Sequence, residues 1–132
     1  CRISNDAMSP AVRLSDLVLF SRINLSYDLD DVVVIKKDGK KQVMRVVAVP
    51  GDTVEIRSDG LYVNGYRRQE DRIYSDTLAY TGGIQYPYEV KDDEVFVLGD
   101  NREKAEDSRL YGAVSKKELK GVVITLLRVR EL

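Results

Sequence analysis

The chain has no histidine and no tryptophan, one cysteine (Cys1) and three prolines among 132 residues. Without imidazole, Ser-His-Asp, Cys-His and histidine-ligated zinc chemistry are all excluded. A single thiol closes no internal disulfide and builds no four-cysteine metal centre. No metal or cofactor is expected. Neither sign of charge dominates, since 21 basic and 22 acidic residues leave a formal charge of −1. That balance argues against a nucleic-acid partner, which calls for a strongly basic face. Long apolar runs are missing too. The stretches 32–35 and 122–127 fall far short of the roughly 20 residues needed to span a bilayer, and the start shows no signal-peptide pattern. What remains is a chain 43% hydrophobic and 33% charged, long enough for one folded domain with a small insertion.

The local patterns are those of strands. Segments 16–23, 31–36 and 42–49 are rich in β-branched residues, and 53–57 alternates apolar with polar side chains. Asp38-Gly39 and Asn64-Gly65 are tight-turn pairs that predict hairpins. Segments 61–63, 94–98 and 121–127 read as further strands. Ser115-Lys-Lys-Glu118 has capping-box spacing and predicts one short helix over 115–120. In 42–49, alternation places Met44, Val46 and Ala48 on one face and Val43, Arg45, Val47 and Val49 on the other. The expected class is mainly β and antiparallel, with a core from residues 1–58 and 94–132 and a cap at 59–93. The cap holds six of the eight tyrosines, which suit either a partner-binding patch or half-buried packing. Lys36, Lys37, Lys40, Lys41 and Arg45 gather around one hairpin, suited to anionic headgroups or simply to a solvated tip that discourages edge pairing.

Three segments carry more than strand chemistry: Ser4-Asn-Asp-Ala-Met-Ser-Pro10, Met44-Arg-Val-Val-Ala-Val-Pro-Gly-Asp52, and Gly99-Asp-Asn-Arg-Glu-Lys-Ala-Glu-Asp-Ser-Arg109 followed by Gly112. Their order and spacing resemble the type I signal peptidases, Ser-Lys membrane proteases that remove secretory signal peptides. Ser15-Asp16-Leu-Val-Leu, Asp31-Val-Val-Val and Leu61-Tyr-Val-Asn-Gly65 extend the resemblance to nearly the whole chain. It implies the family's β-sheet fold with a small cap insertion. It also implies a single N-terminal membrane anchor upstream of Cys1 and a domain on the extracellular face of a Gram-positive cell.

The chain departs from the family pattern at the positions that react. Ala7 stands where the resemblance places the nucleophilic serine, Met44 where it places the lysine base, and Ala105 where it places the serine that orients the lysine amine. Acyl transfer needs a nucleophile with an adjacent base. The resulting expectation is that the protein is not an enzyme, and that it is most like the inactive SipA-type pilus-assembly factors of this family. Pilin subunits and a pilus sortase are then the implied partners. An extended segment would add as a strand in a groove near Asn5, Asp6, Met8 and Pro10. The alternative is an active signal peptidase disabled by substitutions introduced at Ala7 and Met44. Arg45, Asp52, Asp100, Asp107 and Arg109 are expected to hold the loops, with Asp107 paired to Arg45 or Arg109. A homodimer by exchange of the N-terminal segment is a further arrangement open to this sequence.

Overall fold

The computed structural model describes residues 8, 17–21, 28–68, 77–79, 82–102 and 105–127, with backbone alone at 17–21 and 124–127. Among the described residues, ten strands and one short helix follow in chain order. They are β1 (Leu17–Ser21), β2 (Val32–Lys37), β3 (Lys40–Ala48), β4 (Thr53–Arg57), β5 (Gly60–Val63), β6 (Tyr66–Arg67), β7 (Tyr88–Glu89), β8 (Glu94–Leu98), α1 (Ser108–Tyr111), β9 (Val114–Ser115) and β10 (Leu119–Leu127). Every pairing is antiparallel, as the alternating, turn-punctuated sequence predicts.

Six strands form one sheet in the order β1-β10-β2-β3-β8-β9, and four form a second in the order β6-β5-β4-β7. The hairpins turn where the sequence places them. Asp38 and Gly39 both have positive φ (52° and 78°), as do Asn64 and Gly65 (54° and 83°). Two such residues in succession give a turn whose twist matches that of the flanking strands.

Each sheet buries an apolar face. Val33, Ile35, Met44, Val46, Val95, Val97 and Ala105 pack in one cluster, while Val47, Ala48, Val54, Leu61, Phe96 and Leu98 pack in another. Strand β3 feeds both clusters, Met44 and Val46 one and Val47 the other, and its register with β8 slips between Val46 and Ala48. The extra residue of this β-bulge turns the following side chain to the opposite face. Strict alternation therefore fails beyond Val46: Ala48 leaves the Met44 face for the second cluster, and Val49 packs against the first. Of the cap tyrosines, Tyr66 is exposed, whereas Tyr86 and Tyr88 pack against the second cluster.

The helix forms elsewhere than expected. Residues 114–120 make β9, a turn and the start of β10, and the capping-box pair closes only that turn. The Ser115 amide donates to Glu118 Oε1 at 3.1 Å, and the Glu118 amide donates to the Ser115 carbonyl at 2.9 Å. Pairing of Leu119 with Ile35 of β2 captures the chain before a second turn can follow. The true helix starts at Ser108, capped by Asp107, and ends at Gly112, whose φ of 87° is a left-handed conformation that L side chains rarely adopt.

Glu118 also pairs with Lys37 at 3.1 Å. Burial opposes its ionisation, but the Ser115 amide and the Lys37 ammonium outweigh that and hold its carboxyl below the ordinary value. A carboxylate whose pKa is lowered by folding stabilises above its unfolded pKa, and this contribution fades as pH falls through the folded value. Glu118→Gln should therefore lower stability near neutrality by no more than about 1 kcal/mol, since the pair is part-exposed. The difference from the parent should vanish in acid, which urea unfolding at several pH values would show.

Candidate active site

The loop after β8 organises the site. Asp100 is buried, and its carboxylate takes both arms of the Arg45 guanidinium, Nε to Oδ1 at 2.9 Å and Nη2 to Oδ2 at 2.7 Å. Arg45 also donates to the Asp30 carbonyl at 3.0 Å. The backbone amide of Asp100 meets Met8 Sδ at 3.2 Å, and Met8 is packed against Val34 and Val43. One aspartate thus fastens the residue after position 7 and the residue after position 44. Two segments 37 residues apart in the sequence are drawn to a single point, at Met8 and Arg45.

Met44 lies on the opposite face of β3 from Arg45, 1% exposed and in the same cluster as Ala105, itself fully buried. An unbranched thioether fills such a slot without desolvating a charge. Met44 and Ala105, singled out by the family resemblance, therefore share one apolar wall. Ala7, Asn5, Asp6 and Pro10 lie outside the described residues.

A second buried ion pair shapes the loop that carries position 105. Asp107 pairs with Arg109, not Arg45, with Nε to Oδ1 and Nη2 to Oδ2 both at 2.9 Å. Asp107 further accepts the amides of Gly99 and Arg109, each at 3.1 Å. Ser108 Oγ accepts the Val97 amide at 3.0 Å, tying α1 to β8. Tyr86 lies within the field of this pair, and burial pushes its hydroxyl up to about 12, so it stays neutral. Asp52 closes the Pro50-Gly51 turn: Oδ2 accepts the Val49 amide and Oδ1 accepts from Asn64, both at 3.0 Å.

Arg102, Thr77 and Leu78 were not foreseen in these roles. Arg102 is buried and donates to the Gly99 carbonyl and to Thr77 Oγ1, each at 2.7 Å. Arg109 donates to the Leu78 carbonyl at 3.1 Å. Two arginines of the third motif thus tie residues 77–78 to the 99–109 segment. The arginine inside Gly-Asp-Asn-Arg was a legible hint, but Thr77 had no local signal, because its partner is 25 residues away. Among the described residues no group of three or more His, Cys, Asp or Glu is placed to hold a metal ion.

Residues 1–127 match the family described as signal peptidase, peptidase S26. Signal peptidase I S of Bacillus subtilis (strain 168) is 33% identical over 131 residues, covering 90% of this chain and 71% of the relative. Signal peptidase IB of Staphylococcus aureus (strain N315) is 31% identical, covering 92% and 73%. The crystal structure of a signal peptidase I from Enterococcus faecalis V583 superposes with a TM-score of 0.63 at 30% identity, over 75% of this chain and 97% of that one.

These relatives correct one expectation. The side chains at positions 7, 44 and 105 pointed to a protein that is not an enzyme, yet the proteins it resembles over most of their length are named peptidases. The expectation that the protein is not an enzyme is therefore overturned by relatives named signal peptidases. From the motif order, the antiparallel sheets and this shared fold, the chain belongs to the signal peptidase family, peptidase S26.

Proposed function

We propose that this chain is the catalytic domain of a type I signal peptidase carrying substitutions at its reacting positions, alanine for serine at 7 and methionine for lysine at 44. The observation that carries the reading is the double anchorage on Asp100, which brings the residues after both positions to one carboxylate and one amide. In the reaction the serine hydroxyl attacks the scissile carbonyl while the neutral lysine amine takes its proton. A serine at 105, in the Met44 cluster, would offer that amine a hydrogen bond. The substrate is a secretory signal peptide, read as an extended strand with small residues before the cleaved bond. By the same reading the domain works at the outer face of the membrane, behind an N-terminal anchor.

The test restores the chemistry. Ala7→Ser, Met44→Lys and Ala105→Ser together should cleave a secretory preprotein at its signal-peptide junction, and the pair lacking the change at 105 should do so more slowly. A folded triple variant that leaves the preprotein intact would overturn the reading.

A second role, holding an extended pilin segment for a pilus sortase, draws support from the identities of Met44 and Ala105, which offer no base and no hydroxyl. Retention of pilin on the immobilised chain would support that role. Pilin passing through unretained would remove it.

A further inference from the structure

Away from the site, the sheet register gathers lysines at one end of the molecule. Lys36 lies directly opposite Lys41 and Lys37 opposite Lys40 across the β2–β3 hairpin. The Lys36 amide donates to the Glu118 carbonyl at 2.8 Å, which sets the 115–118 turn, with Lys116, Lys117 and Lys120, beside that hairpin. Two segments about 80 residues apart, as the Lys37–Glu118 pair measures, thus build one basic surface on a chain whose formal charge is −1.

Internal contacts account for little of this charge. Lys37 alone is neutralised, by Glu118 at 3.1 Å, and its ammonium sits 4.4 Å from the Tyr111 ring centroid. Among the described residues the ammonium groups of Lys36, Lys40, Lys41, Lys116 and Lys117 make no ion pair, and all five are exposed. Like charges directly opposite across a ladder are destabilising, so the arrangement has a cost that folding alone does not explain. The acidic 92–94 turn bounds the surface on one side, where the Lys116 amide donates to the Asp93 carbonyl at 2.8 Å.

The chemistry of the surface selects its partner. Neither turn carries an arginine, so no planar fork is ready for one phosphate or carboxylate. Five point charges on flexible stems at two neighbouring turn tips suit a broad sheet of anionic groups rather than a single ligand. We propose that the β2–β3 tip and the 115–118 turn form an electrostatic docking surface for a bilayer rich in anionic phospholipid headgroups. This is independent of the peptidase reading.

Co-sedimentation of the 132-residue chain with vesicles of equal parts phosphatidylcholine and phosphatidylglycerol tests it. Binding is expected to these vesicles and not to pure phosphatidylcholine, and to fall steeply with added salt. The variant K36Q/K40Q/K41Q/K117Q should bind at least about 100-fold more weakly. Its thermal midpoint should be unchanged or higher, because the opposed lysines no longer repel. Equal binding by this variant, or no binding by the parent, overturns the proposal. Complete displacement by inorganic phosphate at matched ionic strength would overturn it in favour of a small-anion site. Retention on heparin without vesicle binding would overturn it in favour of a soluble polyanion.

Discussion

Asp107→Ala is expected to lower the unfolding free energy by about 3–5 kcal/mol through loss of the buried pair with Arg109. Arg109 is 2% exposed and cannot turn to water when its carboxylate partner is removed. The amide of Gly99 and that of Arg109 lose their acceptor in the same stroke, at about 1–3 kcal/mol for each buried group left unsatisfied. A domain of this kind is stable by only about 5–15 kcal/mol, so the variant stands at the edge of folding. Urea unfolding would measure the loss. The double variant Asp107→Ala with Arg109→Met should be less damaged than Asp107→Ala alone, because the buried guanidinium is removed together with its carboxylate. A larger loss in the double variant would mean that Arg109 matters chiefly through the Leu78 and Arg102 carbonyls it also binds.

Met44→Lys should give a stability deficit that depends on pH, with a sign set by burial. The side chain at 44 is 1% exposed among Val33, Val46, Val97 and Ala105, which favours a neutral amine and lowers the folded pKa. Below that folded value both states are protonated and the whole penalty is felt. Between the folded value and the unfolded one near 10.4, only the unfolded state holds the proton, so stability rises with pH. Above about 10.4 the penalty is gone. A shift of about three units corresponds to about 4 kcal/mol near neutral pH, and Ala105→Ser beside it should recover part of that. A deficit that is flat with pH would mean the amine reaches water. The same lowered pKa is what a lysine base needs in order to accept a proton near neutrality.

The strand content was legible because local and tertiary signals agree: Val-rich runs, Asp38-Gly39 and Asn64-Gly65 each demand what the sheets provide. Disagreement came where a tertiary pairing overrode a local preference. Ser115-Lys-Lys-Glu118 has the spacing to start a helix, but Leu119 pairs with Ile35 first. The bulge that moves Ala48 to the second cluster depends on the partner strand β8, which no window over 42–49 contains. In the site, Asp107 and Arg109 are neighbours in sequence, and their pairing was among the expected ones. That Arg45 takes Asp100 follows only from the order of β3 and β8 in the sheet. Thr77 beneath Arg102 could be found only in three dimensions. The expectation that the protein is not an enzyme rested on the side chains at 7, 44 and 105; relatives named signal peptidases overturn it and favour the alternative, a peptidase with substituted reacting positions.

The proposed pairing of positions 7 and 44 rests on Asp100, which holds Met8 and Arg45. It is tested most directly by the pH dependence of preprotein cleavage by Ala7→Ser/Met44→Lys/Ala105→Ser beside that of Ala7→Ser alone. Such a pairing predicts at least about 100-fold faster cleavage with the lysine present. It also predicts a rate that rises with pH through an amine pKa well below 10.4, the unperturbed value of about 10.4 marking a solvated lysine. Identical rates and identical profiles for the two variants would show that the amine at 44 does not serve the hydroxyl at 7, and would contradict it.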